Sequence, residues 1–293
     1  MFSGVPKYPY AAELRRELSL RNRAFARSLE LPHAESYGTS PVIVYEPYAE
    51  GTLHGNFIVA SYSAIVQNES WYRRLSKVHA QARQTLPKCD RRWMELDSSA
   101  SSDALLMNIF CYPGVLSRVA GMLGLDDAEQ PTFGYRARVP LKNGRFDRTE
   151  VDMKIGSLLV ESKLTESDFQ VKDSIVLDSY RDFAEVFDTS RLLGEAKVCR
   201  SYQLVRNVLA ANAASSSFCV CLDARRPDLA EEWYRVMCCV RAADLKTRCK
   251  VLTWQELSAV LPAKLQSFLD LKYGIVPPGC TPSPIPGFEA SNR

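Results

Sequence analysis

The sequence predicts an α/β fold in which a mainly helical N-terminal region precedes a central mixed β-sheet flanked by helices. Three observations predict it. Apolar residues recur at helical spacing through most of the first 128 positions. From Pro131 the period changes to alternation over consecutive strand-like runs. Beyond those, strand-like and helix-like runs take turns, as in βα units.

The elements follow in order. Ala11–Leu29 carries Leu14, Leu18, Phe25 and Leu29 among arginines at helical spacing. Pro41–Tyr45 is a short apolar run of strand character, and Trp71–Gln84 is an amphipathic helix closed by Pro87. Helices over Ser101–Phe110 and Val115–Leu123 are separated by Tyr112-Pro113-Gly114, with Ser101 or Ser102 as the N-cap of the first. Phe133–Val139 alternates as a strand, Lys142-Asn143-Gly144 signals a turn, and Glu150–Ile155 and Leu158–Lys163 are two further strands. Ser167–Leu193 is charged and helical in character, Ser201–Ala211 is a helix, and Phe218–Leu222 is an apolar buried strand. Pro227 opens a helix that runs through Leu229–Val240. Cys249–Leu252 is a short strand, and helices Gln255–Leu261 and Ala263–Leu271 precede a Pro-rich irregular tail from Val276. The expected organisation is therefore a helical region at 1–128, a strand-bearing core at 129–275 and a tail at 276–293.

Composition narrows the function. With 293 residues, 46% hydrophobic and 24% charged, the chain can bury a substantial core. No apolar run reaches transmembrane length and Met1–Tyr10 lacks a secretory pattern, so a cytoplasmic protein without a membrane span is expected. The nine cysteines include no paired CxxC spacing, which argues for reduced, mostly buried thiols over zinc or a disulfide framework. His33, His54 and His79 share no ligand spacing and read as surface or core histidines. Walker A, GxGxxG-after-strand and GxSxG patterns are absent, which removes support for nucleotide hydrolysis, dinucleotide redox and serine hydrolysis. Net charge is only +3, but Arg15, Arg16, Arg21, Arg23 and Arg27 share one expected helix, and Arg73, Arg74, Lys77 and Arg83 another. Such faces track phosphates or simply solvate amphipathic helices, and the sequence leaves both readings open. Trp71, Tyr72, Trp93 and Tyr180 are likewise either base-stacking or core aromatics.

The chemistry lies in the stretch Arg148–Lys163. A two-residue type II′ turn at Gly156-Ser157 pairs Ile155 with Leu158, Lys154 with Leu159, Met153 with Val160 and Asp152 with Glu161. Glu150 then falls opposite Lys163, while Val151, Met153, Ile155, Leu158 and Val160 form a core face. Two carboxylates facing each other, with Cβ atoms about 5 Å apart, repel by roughly 3 kcal/mol at an effective dielectric near 20. A divalent cation reverses that sign, and Mg²⁺ accepts carboxylate oxygens while keeping waters. Lys163, two residues beyond Glu161, shares its face and supplies a cation for a phosphate transition state or for orienting a water. The competing reading is an exposed hairpin with a Glu150–Lys163 cross-strand pair.

Asp152 followed by Glu161-Ser162-Lys163 resembles the D-x(n)-(E/Q)xK core of the PD-(D/E)XK, restriction-endonuclease-like nucleases. Glu161–Phe169, Ser201–Asn207 and Ser101–Asn108 are similar to segments of a group of bacterial restriction endonucleases, so the resemblance covers roughly 95–275. It implies a restriction-endonuclease-like core and Mg²⁺-dependent, or Mn²⁺-dependent, hydrolysis of DNA in restriction, defence or repair. It implies Asp152, Glu161 and the carbonyl of Ser162 as metal ligands, Lys163 as the catalytic lysine and Gln203 as the helix glutamine beside the site. The Tyr that accompanies that glutamine in RecB-like members is not at its usual spacing, and Tyr202 precedes Gln203 instead. The early helical Glu that completes such sites has Glu95 as its candidate, with Glu13 and Glu46 behind it. Glu150, Asn108, Tyr202 and Arg206 are further candidates. DNA is the expected partner, a homodimer a candidate assembly, and a non-catalytic nucleic-acid-binding or adaptor protein on the same fold the alternative.

Overall fold

The structure is a computed structural model that describes residues 9–36, 41–48, 53–78, 88–126, 129–193 and 198–285. It divides into two compact units, one formed by residues 1–120 with 254–293 and the other by 121–253.

The second unit contains a five-stranded mixed sheet. Its strands, β1 (Thr132–Arg136), β2 (Glu150–Ile155), β3 (Leu158–Ser162), β4 (Ser217–Leu222) and β5 (Cys249–Thr253), lie in the spatial order β5-β4-β3-β2-β1. β1–β2 and β2–β3 are antiparallel, whereas β3–β4 and β4–β5 are parallel. Three pairs of the expected hairpin register are present, Met153 opposite Val160, Lys154 opposite Leu159 and Ile155 opposite Leu158, and the ladder ends before the expected Asp152–Glu161 and Glu150–Lys163 pairs. Gly156 takes φ 52° and Ser157 stays at negative φ, which is what a type II′ turn requires. Val151, Met153, Ile155, Leu158 and Val160 are all buried. β3 is buried on both faces, as expected of a strand with a parallel neighbour inside a covered sheet. Helices Tyr202–Ala213 and Pro227–Cys239 contribute Leu204, Val208 and Trp233 to a core shared with Leu159, Phe218 and Val220. A mixed sheet flanked by helices and a helical N-terminal region are thus both present.

Several local expectations change. The Phe133–Val139 strand stops at Arg136. Val139–Pro140 pairs instead with Phe146–Asp147 in a small separate hairpin around the Asn143-Gly144 turn, where Gly144 takes φ 79°. The Ser167–Leu193 stretch breaks into short helices at Ser174–Asp178, Phe183–Val186 and Thr189–Leu193. Bridges from Tyr180 to Leu141 and from Phe187 to Val240 pin it between them, so tertiary contacts override local helical character. Trp71–Gln84 shortens to a helix at Glu69–Tyr72 followed by a 3₁₀ turn at Arg73–Ser76, and residues 79–84 lie outside the described residues. Helix Val59–Gln67 is an element that the sequence pattern does not indicate.

The grouping of residues 254–275 with the strands is also corrected, because these helices belong to the first unit. Helix Ala263–Tyr273 packs on helix Pro9–Ser28, where Asn22 donates to the Lys272 carbonyl at 2.9 Å and the Phe25 and Phe268 rings meet at 5.8 Å. Arg21 donates to Glu17 at 2.7 Å and to the Ser283 carbonyl at 2.9 Å. Within the same unit, Asp103 receives Arg74 at 2.8 Å and Lys77 at 2.6 Å, and Ser101 caps helix Ser102–Phe110 through the Ala104 amide. His54 is a core histidine bonded to Asp97 at 3.0 Å. Trp71, Trp93 and Tyr180 are buried, so base stacking is left to the exposed Tyr72 alone among those four. Of the two basic helices, Arg21, Arg23, Arg73, Arg74 and Lys77 are in ion pairs within the fold, and Arg83 lies outside the described residues. Cys111, Cys199, Cys219, Cys221 and Cys239 are buried. No single helix among the described residues is long and apolar enough to cross a membrane. Ser102–Phe110 and Val115–Leu123 approach that test only as a pair, bent by 111°.

Lys272 is the least conventional group in this unit. It is fully buried, donates to the Gly55 carbonyl at 3.2 Å and stands 3.7 Å from the Tyr45 ring centroid. Burial without a carboxylate pushes its amine well below the ordinary value of 10.5. The unfolded chain therefore binds this proton at a higher pH than the folded chain does. The resulting stabilisation is complete above the unfolded value and is lost as pH falls toward the folded one. Thermal melts from pH 10.5 down to neutrality should show wild-type protein losing stability relative to Lys272→Met as the pH drops. Parallel curves for the two proteins would contradict this account.

Candidate active site

Antiparallel pairing in the hairpin ends at Met153–Val160, and side chains take over beyond it. The Ser162 amide donates to Asp152 Oδ2 at 2.8 Å, so the β2 carboxylate closes the open end of the ladder. On its other side β3 continues along β4, with Val220 beside Glu161 and the Lys163 amide donating to the Cys221 carbonyl at 2.8 Å. Glu161, Ser162 and Lys163 are thus fixed by the β4 backbone on one side of the strand and by the Asp152 carboxylate on the other.

Glu161 is buried, at 1% exposure, and both of its oxygens are engaged. Oε1 meets Lys163 Nζ at 2.9 Å and Oε2 accepts from Asn207 Nδ2 at 2.8 Å. Burial works against the Lys163 ammonium, but Glu161, Glu166 and Asp152 together outweigh it and hold the group protonated well above the usual lysine range. The two opposed acids and the lysine of the hairpin therefore do converge. The exposed-hairpin alternative fails because Glu161 and Lys163 are both buried.

The loop after β3 closes around the lysine. Glu166 Oε2 accepts from the Leu164 amide at 2.7 Å. Arg226, fully buried, donates to the Glu166 carbonyl at 2.7 Å and the Leu164 carbonyl at 3.2 Å, and pairs with Asp228 at 2.7 Å. Gln203 sits on helix Tyr202–Ala213, one turn before Asn207 and on the same face, and its Oε1 is buried without a hydrogen-bond partner. Glu166 and Arg226 carry no sequence signal for a role, and Asn207, like Arg206, reads from sequence as a phosphate or base contact or a local cap. For Asn207 the available signal was its i+4 spacing from Gln203.

Other candidates have different duties. Arg206 is buried and donates to the Thr149 carbonyl at 2.6 Å and the Glu150 carbonyl at 2.8 Å, so it clamps the start of β2 and does not reach for phosphate. The Tyr202 hydroxyl lies 2.8 Å from that of Tyr180, which donates to Asp147. Glu150 stands on β2 opposite Arg136. Glu95 and Asn108 belong to the first unit. There Glu95 pairs with Lys77 at 2.9 Å, and Asn108 bonds the Ile58 amide and the Asn56 and Ala104 carbonyls. Glu46 lies 3.7 Å from Arg92, and Glu13 is exposed. The third carboxylate acting on Lys163 is the loop residue Glu166.

Among the described residues no group of three or more His, Cys, Asp or Glu side chains is arranged to hold a metal ion. What the site offers is two hairpin carboxylates, the Ser162 carbonyl beside them, and buried amide oxygens of Asn207 and Gln203 without donors. Glu161→Gln removes the closest counter-charge from a buried ammonium and should cost about 3–5 kcal/mol of unfolding free energy. The double variant Glu161→Gln/Lys163→Met should recover most of it in urea titrations. A double variant no more stable than the single one would show that the pair is not the source of the loss.

A family model described as "Restriction Endonuclease associating with ARP" matches residues 22–274. Comparison with curated proteins and with solved structures found no match. The α/β fold with its central mixed sheet is consistent with a restriction-endonuclease-like core. On a match of that extent, this chain belongs to the REase-ARP family, the restriction endonucleases associating with ARP.

Proposed function

We propose that the chain is a Mg²⁺-dependent nuclease of the PD-(D/E)XK type that hydrolyses DNA phosphodiester bonds in the cytoplasm. The observation that carries this reading is the meeting of Asp152, Glu161 and a buried, protonated Lys163 at the end of one hairpin. The family description, a restriction endonuclease, supports DNA as the substrate.

Asp152, Glu161 and the Ser162 carbonyl would hold Mg²⁺, or Mn²⁺ in its place. The donor set fits, because Mg²⁺ is held by one or two carboxylates and keeps several waters. Bound there, the ion supplies charge neutralisation and a more acidic water. Lys163, beside these carboxylates, stabilises a phosphate oxygen or orients the attacking water. Asn207 keeps the Glu161 carboxylate in place through Oε2, and the grip of Arg226 on the carbonyls of the 164–167 loop holds Glu166 near the lysine.

Circular and linear DNA incubated with the protein in Mg²⁺ or Mn²⁺ should be cleaved. Asp152→Asn, which keeps the shape but not the charge, should lower the rate by about 10²–10³-fold with an unchanged melting curve. Equal cleavage by the variant would place the chemistry elsewhere. Absence of cleavage by the wild type under both metals would favour a binding or adaptor protein on this fold.

A further inference from the structure

We infer that Asn207 is a positioning residue with two tasks: its amide nitrogen fixes the second oxygen of Glu161, and its amide oxygen receives a hydrogen bond from a water held in the site. The functional meaning rests on the nuclease reading, whereas the geometry beneath it does not.

Asn207 has no solvent exposure, and its Nδ2 donates to Glu161 Oε2 at 2.8 Å. This bond sets the orientation of the carboxamide. Turning it over would press Oδ1 against a carboxylate oxygen, two acceptors with no proton between them. With Nδ2 committed, Oδ1 remains buried and has no hydrogen-bond partner. A buried acceptor left in that state costs roughly 1–3 kcal/mol, and such atoms in folded proteins are generally met by ordered water. Gln203, one turn earlier on the same helix face, leaves its Oε1 buried and without a donor as well. Two acceptors lacking donors on the helix that grips the site glutamate call for an occupant that brings protons. Water around a divalent cation turns its protons outward and meets that need. The residue type matters too. Aspartate here would set a like charge against Glu161, and an aliphatic side chain would release it, whereas a carboxamide both donates and accepts.

The test uses the full chain and Mn²⁺ as the probe. Calorimetric Mn²⁺ titrations of wild type and Asn207→Ala, with thermal melts of both, should show the variant folded and binding about 10–100-fold more weakly. A high-resolution crystal structure of the wild type should show a water at hydrogen-bond distance from Asn207 Oδ1. Equal Mn²⁺ affinity in a folded Asn207→Ala variant overturns the role, as does a crystal structure in which Oδ1 has no donor. If the wild type binds no Mn²⁺, the metal reading fails by itself, and the presence or absence of that water still decides for Asn207. If Asn207→Ala does not fold, the wild-type crystal structure decides alone.

Discussion

The second unit is organised around one costly interaction, the buried ion pair between Glu161 and Lys163. Taking both charges out of water carries a desolvation penalty that their mutual attraction offsets only in good geometry and with the remaining polar atoms satisfied. The surrounding structure answers that requirement from three directions. The parallel neighbour β4 fixes the backbone at both residues, helix Tyr202–Ala213 supplies Asn207, and the loop after β3 supplies Glu166. The glutamate lies near the end of the interior strand β3, where β4 pairs it on one side.

Arginine is used here as internal scaffolding. Arg206 and Arg226 are buried, and each directs its fork at main-chain carbonyls where the chain leaves regular structure. A planar group with five donors can satisfy several carbonyls that no ladder reaches, which a lysine cannot do. This is also why clustered basic residues are a poor guide to a polyanion surface in this chain. Much of its positive charge is committed to the fold.

What was legible in the sequence is what depends on neighbours in the chain. The turn at Gly156, the hairpin register, the core face of β2 and the Ser101 cap all rest on spacing of a few residues and all appear. Asp152, Glu161 and Lys163 could be brought together on paper because one tight turn relates them. Contacts across tens of residues were not legible. Asn207 reaches Glu161 over 46 positions, and Arg226 reaches the Leu164 carbonyl over 62. The same limit applies to Arg206, because nothing local distinguishes an Arg206 that clamps carbonyls from one that meets phosphate. The helices at 254–273 were grouped with the strands they follow, but the pairing of Phe25 with Phe268 and of Asn22 with the Lys272 carbonyl ties them to the beginning of the chain.

Arg206 and Asn207 are consecutive residues, yet one clamps the start of β2 and the other the end of β3. Successive positions on an α-helix point about 100° apart, so a single rotational setting of this helix serves both strands of the hairpin at once. The helix therefore behaves as an indexing pin. Variation in the exposed connections should be tolerated, but a one-residue insertion in the first turn of this helix would turn both side chains away together and leave two strand ends and a buried charge without their supports.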